Sequence, residues 1–465
     1  MMELIATLND FLWTYILLAA LLGCGLWFTW RTRFVQFRMV GEMLRLLTDS
    51  GTKSEQGRRH ISSFQAFVVS LASRIGTGNL AGVATAIALG GPGAVFWMWL
   101  IALVGSATAF VESTLAQLYK QPHSDSFIGG PAYYINKGMR CRWMAALFAI
   151  LITLTFALAN NAVQSNTITG AMERAFGLNP IWVGALLTLL TLAVVFGGIQ
   201  RVARVSSVVV PIMAVGYLLL ALAVIALNLE KVPHVLRVIV ENAFGLGQAL
   251  GGGLGMTIIY GVKRGLFSNE AGEGSAPNAA ATAAVSHPVK QGLIQALGVF
   301  TDTLVVCSCT AFIILISGLY EDQSLNGIQL TQGALQSEVG SAGPVFIAVA
   351  IFLFAYSSII GNYYYGEANV RYLSGKPWVL TVFRLMSGGA MVMFGALASL
   401  DTVWNIVDVC MALLTACNLV AIVTLGKQAF RLLDDYRRQR REGIRNPEFH
   451  RAQMPDIADR LDCWE

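Results

Sequence analysis

The residues best placed to do chemistry lie where a membrane-length apolar segment is interrupted. From about Ile61 to Leu89 the chain is apolar for long enough to cross a bilayer as one helix, which takes roughly 20 residues. Its centre reads Ser73-Arg74-Ile75-Gly76-Thr77-Gly78-Asn79-Leu80-Ala81-Gly82. Glycine costs a helix interior about 1 kcal/mol relative to alanine, and an unsatisfied backbone group in hydrocarbon costs several kcal/mol. A break at this depth persists only where the freed groups line a cavity or hold a ligand. A helix restarting near Asn79 presents free N–H groups and the positive end of its dipole, which suit an anion. Thr77, Gly78 and Asn79 are expected to face that anion, Asn79 also through its side-chain amide. A helix stopping near Ile75 presents free carbonyls, which suit a hard cation such as Na⁺.

The elements that must hold such a break are membrane helices. The chain has 465 residues, 55% hydrophobic and 13% charged, with mean hydropathy +0.61. Soluble domains carry about 25% charged residues, so the expected class is an all-α polytopic membrane protein. Eleven spans are expected, near 11–30, 62–90, 94–118, 143–169, 180–198, 206–228, 236–265, 290–317, 343–370, 378–398 and 402–426. The first lacks the basic start and small-residue cleavage site of a signal peptide and reads as a retained span. With the N-terminus outside, 28 of the 32 Lys and Arg fall on the cytoplasmic side, which fixes the expected orientation. That orientation leaves 427–465 as a cytoplasmic tail, whose Arg437-Arg438-Gln439-Arg440-Arg441 is expected to lie against anionic lipid rather than nucleic acid. The seven cysteines form no CxxC pair and fall mostly in apolar runs, so free buried thiols are expected.

Without the first span, 11–30, ten spans remain, divisible into two sets of five at 62–228 and 236–426 within one transporter-sized domain, 1–426. An odd number per set inverts the second in the membrane. A repeat of this kind predicts a second broken helix at the first position of the second set. Gly245 to Met256 supplies the composition, with Gly251, Gly252, Gly253 and Gly255 at the expected mid-depth. Paired Gly-interrupted segments of this kind mark binding sites; the alternative is close helix packing.

Four motifs carry a family resemblance: Gly76-Thr77-Gly78-Asn79; Gly90-Gly91-Pro92-Gly93-Ala94-Val95-Phe96-Trp97-Met98-Trp99; Gly129-Gly130-Pro131-Ala132-Tyr133; and Phe267-Ser268-Asn269-Glu270-Ala271-Gly272-Glu273-Gly274-Ser275. Over nearly its whole length the chain resembles the alanine or glycine:cation symporter family. The resemblance implies sodium-coupled uptake of alanine or glycine across a bacterial inner membrane, with no cofactor beyond the transported ion. It implies the five-plus-five inverted-repeat fold shared with the bacterial leucine transporter, preceded here by one extra helix. In that wider fold a sodium ion lies between the first break and a hydroxyl pair on the eighth core helix. The implied ligands are Ser357 and Ser358 with the carbonyls of Ala72, Ile75 and Ala355. Alone, such a serine pair would more often bond back to its own helix. The resemblance also implies that Gln164 reaches the substrate, and it marks Asn362 as a departure, because some members carry tryptophan there. Asparagine would leave a roomier, more polar pocket.

A zwitterionic amino acid needs donors for its carboxylate and acceptors for its ammonium. The first break is expected to supply the donors, and the carbonyls of Gly251, Gly252 and Gly253 the acceptors, with Ile258 limiting side-chain size. Asn160, Asn161 and Asn166 read more readily as hydrogen-bonding glue between helices. Arg74 needs an acidic partner such as Glu112 or Asp302. Lys263 and Arg264, assigned to the cytoplasmic end of the seventh span, form either gate ion pairs with Glu270 and Glu273 or a solvated loop. Two isolated breaks argue against a channel, the lack of a catalytic cluster against an enzyme, and the lack of a phosphate-binding loop against a primary pump. The closest rival is a proton-coupled symporter.

Overall fold

The computed structural model describes residues 9, 11–48, 61–123, 126–245, 253–322 and 324–464. Long runs of Leu, Val, Ala and Phe fold as helices because in an apolar medium each backbone group must be bonded within its own segment. The helices are α1 (Leu12–Arg31), α2 (Ser63–Arg74), α3 (Gly78–Gly90), α4 (Ala94–Leu118), α5 (Pro131–Gly138), α6 (Arg142–Phe176), α7 (Pro180–Val195) and α8 (Gly198–Leu227). There follow α9 (Val232–Ala243), α10 (Leu254–Asn269), α11 (Ala276–Ala280), α12 (Val289–Ser317), α13 (Gly327–Val339), α14 (Ala342–Leu373), α15 (Pro377–Leu397) and α16 (Leu400–Arg441). Among the described residues, eight are long and apolar enough to cross a membrane: α1, α4, α6, α8, α12, α14, α15 and α16. The protein is an all-α polytopic membrane protein, as its composition implies. Its only described strands, β1 (Gln121–His123) and β2 (Ser126–Ile128), form an antiparallel hairpin with Pro122 opposite Phe127.

Two segments expected as single spans are each made of two pieces. A capping box at Ser62 and Gln65 starts α2, which ends where Ile75 turns extended (φ −77°, ψ 91°), and α3 resumes at Gly78. This interruption lies where the sequence places it.

The second, expected at Gly251–Gly253, falls in the interval between α9, which ends at Ala243, and α10, which begins at Leu254. Residues 246–252, including Gly251 and Gly252, lie outside the described residues. Gly253 is exposed at the start of α10, which runs unbroken to Asn269. At that end Thr257 donates to the Gly90 carbonyl at 2.7 Å, the far end of α3 from Gly78. A further break falls at Glu270–Ser275, where Glu270, Gly272 and Gly274 take φ of 56°, 95° and 79° before α11 begins. Two glycines further along α10 serve packing. A Cβ on Gly261 would sit 2.6 Å from the Ala94 carbonyl oxygen, and one on Gly265 2.7 Å from Ile101 Cγ2.

Beyond the spans, α16 continues to Arg441 and the chain folds back over its own helix ends. Phe449 N–H donates to Ser286 O at 2.9 Å, and Trp464 Nε1 donates to the terminal α4 carbonyls of Gln117 and Leu118 at 3.3 and 3.1 Å.

Candidate functional site

Helix α14 is brought against the first break because Gly361 has no side chain. A Cβ there would lie 3.0 Å from the Ser73 nitrogen. One turn earlier, Ser358 Oγ lies 3.0 Å from Ala72 O, 3.3 Å from Ile75 O and 3.1 Å from Phe354 O. Ser357 Oγ lies 3.3 Å from Ala72 O and 2.8 Å from Phe354 O. Two hydroxyls bring two protons to three carbonyls, each with two lone pairs. This is an acceptor-rich knot of neutral oxygens, the donor set a hard cation takes. Ala355 is fully buried in α14 beside Phe354.

The other half of the break is tied to α6 and α12. Thr77 N–H donates to Gln164 Oε1 at 2.9 Å, and Gln164 Nε2 donates to Asn160 Oδ1 at 2.8 Å. Asn79 Oδ1 accepts from Gly76 N–H at 2.9 Å, and Asn79 Nδ2 donates to Asp302 Oδ1 at 2.7 Å. The Asn79 amide, expected to meet a ligand, is thus engaged by a carboxylate. Asp302 also accepts from Ser268 at 2.7 Å and Thr303 at 2.9 Å. Among the described residues, Thr77 Oγ1 and Asn362 Nδ2 are buried without a partner. Burying such a group unpaired costs about 1–3 kcal/mol, so both are free to meet a ligand.

The break at Glu270–Ser275 abuts the first. A Cβ on Gly78 would lie 3.0 Å from Ser268 Cα. Ser73 Oγ lies 2.7 Å from Glu270 Oε1 and 2.5 Å from Asn362 Oδ1, and Ser275 Oγ donates to Glu270 Oε2 at 2.5 Å. Of the expected residues, the fold therefore brings Ala72, Ile75, Thr77, Gly78, Asn79, Gln164, Ser357, Ser358 and Asn362 together around one buried point. Gly253 and the half-buried Ile258 stand at the other end of α10. Asp302, Ser268, Thr303 and Glu270 join the site without having been assigned to it. Their signals were present: Asp302 as a charge inside a span, and Ser268 and Glu270 within the Phe267–Ser275 motif.

Two charge pairings differ from expectation. Arg74 Nη1 donates to Gln295 O at 3.2 Å, and among the described residues it forms no ion pair with Glu112 or Asp302. Neutral donors already serve both acids, since Glu112 accepts from Gly272 N, Gly274 N and Asn418 Nδ2 at 3.3, 3.2 and 2.9 Å. Lys263 and Arg264 lie within α10 rather than in a loop, each 2.7 Å from Asp408 Oδ2 of α16. Arg264 also stacks over Trp404 at 4.0 Å. Buried charges must pair locally, and α16 offers the nearer acid.

A buried double helix break, with cation-type oxygens on one flank and free polar groups on the other, is the architecture of a membrane transporter rather than of a soluble binding protein. The family model described as the sodium:alanine symporter family matches residues 1–451. The chain belongs to that family. It is 51% identical to the amino-acid carrier protein AlsT of Bacillus subtilis over 98% of this chain and 96% of that one. It is 49% identical to the probable sodium/glutamine symporter GlnT of the same organism, over 99% and 96%. It is 37% identical to the sodium/alanine symporter AgcS of Methanococcus maripaludis, over 91% and 94%.

Proposed function

We propose that this protein couples sodium entry to uptake of a small neutral amino acid, alanine or glycine, across a bacterial inner membrane by alternating access. The observation that carries this reading is the acceptor-rich knot of Ala72, Ile75, Phe354, Ser357 and Ser358 against the break at Ile75–Thr77. Sodium would be held there by carbonyl and hydroxyl oxygens. The substrate would occupy the other flank, with Thr77, Gly78, Asn79, Gln164 and Asn362 as its nearest polar groups. Both ligands engage one interruption, so each stabilises the arrangement that the other binds, which is the reciprocity that coupling requires. The five-plus-five inverted repeat, with the N-terminus outside, is part of this proposal. In this reading its second discontinuous helix is α10–α11.

Asn362 favours a second substrate reading. Its unpartnered Nδ2 beside the break is suited to a polar side chain, and one relative is named for glutamine. Uptake of alanine, glycine and glutamine into proteoliposomes, with Na⁺ or choline outside at fixed pH, separates these readings. Saturable uptake that requires Na⁺ supports the proposal, and the preferred amino acid selects the substrate. Equal uptake in choline overturns sodium coupling, and uptake that then follows an imposed pH gradient selects the proton-coupled alternative.

A further inference from the structure

The turn after α1 and the end of α16 meet at a cluster of arginines remote in sequence from the proposed transport site. Helix α1 ends at Arg31, and Arg33 and Phe34 follow with φ of 55° and 58°. This left-handed turn bends the chain sharply into the short helices Val35–Arg38 and Val40–Leu46. Gln36 holds the turn, donating to Thr29 Oγ1 at 2.8 Å and Leu103 O at 3.2 Å. The extension of α16 lies alongside, and Arg437 Nη2 donates to Thr32 O at 2.7 Å. Together they line an open concavity of about 300 Å³, formed by Arg33, Arg38, Met39, Arg437, Arg440 and Arg441.

Five guanidiniums thus surround one concavity, and few acids answer them. Glu42 is already taken by Arg45 at 2.7 Å, by Arg440 at 3.3 Å and by the Tyr436 hydroxyl at 2.5 Å. Asp434 is the other acid near Arg437. Among the described residues, Arg33, Arg38, Arg437 and Arg441 form no ion pair. Burial, and then Arg38, Arg33 and Arg441 as neighbouring positive charges, push the Arg437 pKa below its usual value. Like charges gathered this closely repel one another and favour an anion among them, and guanidinium forks match phosphate oxygens two at a time.

The surroundings favour a lipid as the source of such an anion. Trp30, Phe34 and Phe37 flank the cluster and are 68%, 51% and 48% exposed. Aromatics at the end of an apolar span mark the headgroup plane of a bilayer. The Lys and Arg distribution assigns this face to the cytoplasm, where anionic lipids provide the negative surface. We infer that this cavity binds the phosphate of an anionic phospholipid headgroup, with the acyl chains lying along the exposed aromatics of α1 and its turn.

The test uses the full-length purified protein in detergent, with phosphatidylglycerol or phosphatidylcholine added and retained lipid counted by native mass spectrometry. The variant is Arg38→Gln with Arg441→Gln, two side chains that form no hydrogen bond or ion pair among the described residues. The control is Arg451→Gln, on the exposed tail. Removing one arginine near a lipid surface costs roughly fivefold in affinity, so the pair costs roughly thirtyfold. Wild type and Arg451→Gln are expected to retain phosphatidylglycerol selectively, and the double variant is expected to lose that selectivity with its melting temperature unchanged. Equal retention of the two lipids by wild type, or undiminished phosphatidylglycerol on the double variant, overturns the inference. Displacement of phosphatidylglycerol by millimolar inorganic phosphate would assign the cavity to a soluble anion and overturn its assignment to lipid.

Discussion

Gly76→Ala tests the site most directly, because the structure specifies what the added methyl meets. A Cβ at Gly76 would lie 2.8 Å from Gln164 Oε1 and 3.1 Å from Ser358 Cβ, with the Ser358 hydroxyl oxygen nearer still. Both neighbours are held in place, Gln164 by Thr77 N–H at 2.9 Å and Ser358 by three carbonyls between 3.0 and 3.3 Å. Overpacking a dense interior costs roughly 1–3 kcal/mol. If Gln164 withdraws, the buried Thr77 N–H is orphaned, at a further 1–3 kcal/mol or so. A loss of about 2 kcal/mol in the cation-binding arrangement raises the half-saturating Na⁺ concentration roughly thirtyfold. Gly82→Ala is the control, since its Cβ would meet only Thr77 O, at an ordinary 3.8 Å. Uptake of labelled amino acid into proteoliposomes over a Na⁺ titration reads both variants. Gly76→Ala is expected to need far more Na⁺, and Gly82→Ala to match wild type. If Gly76→Ala keeps the wild-type Na⁺ dependence, the oxygens around Ser358 do not bind the coupling ion.

Three other outcomes follow from the same geometry. Asn79→Ala removes the acceptor for Gly76 N–H and a donor to Asp302 together; substrate binding measured by calorimetry is expected to fall at least about a hundredfold, a change of roughly 3 kcal/mol. Ser358→Ala removes the hydroxyl oxygen nearest Ala72 O and Ile75 O, so the Na⁺ requirement for uptake should rise by about tenfold or more, with expression unchanged. His287, in the connection before α12, has its pKa pushed below the usual 6.5, chiefly by burial, despite its contact with Asp435 at 3.3 Å and with Lys290 adding to the depression. The unfolded chain then binds the proton first, so this stabilisation is present above about pH 6.5 and is lost as pH falls. Thermal melting scanned from about pH 8 to pH 5 should show that decline, and His287→Gln should flatten it.

Composition and charge placement were enough to define a polytopic membrane protein, because hydrocarbon tolerates few charges and the bilayer sets span length. The first break was legible because Gly-Thr-Gly-Asn in an apolar run opposes helix formation locally, and local opposition is written in consecutive residues. The same reasoning did not reveal the break at Glu270–Ser275, because glycine has two uses. In α10, Gly261 and Gly265 admit α4 at contact distance, whereas in Glu270–Ser275 the positive φ values end a helix. Only the neighbour distinguishes these uses, and the neighbour is tertiary. Pairings across long stretches of chain were hidden for a related reason. Lys263 and Arg264 find Asp408, and Asn79 finds Asp302, more than a hundred residues away in each case. The five arginines at the α1 and α16 ends line one concavity only because the fold brings those two helix ends together. The sequence by itself determined which residues a membrane would exclude and where one helix must stop; the tertiary structure decided which charges neutralise one another and which second break faces the first, because those choices depend on distances between helices and not on the order of residues within them.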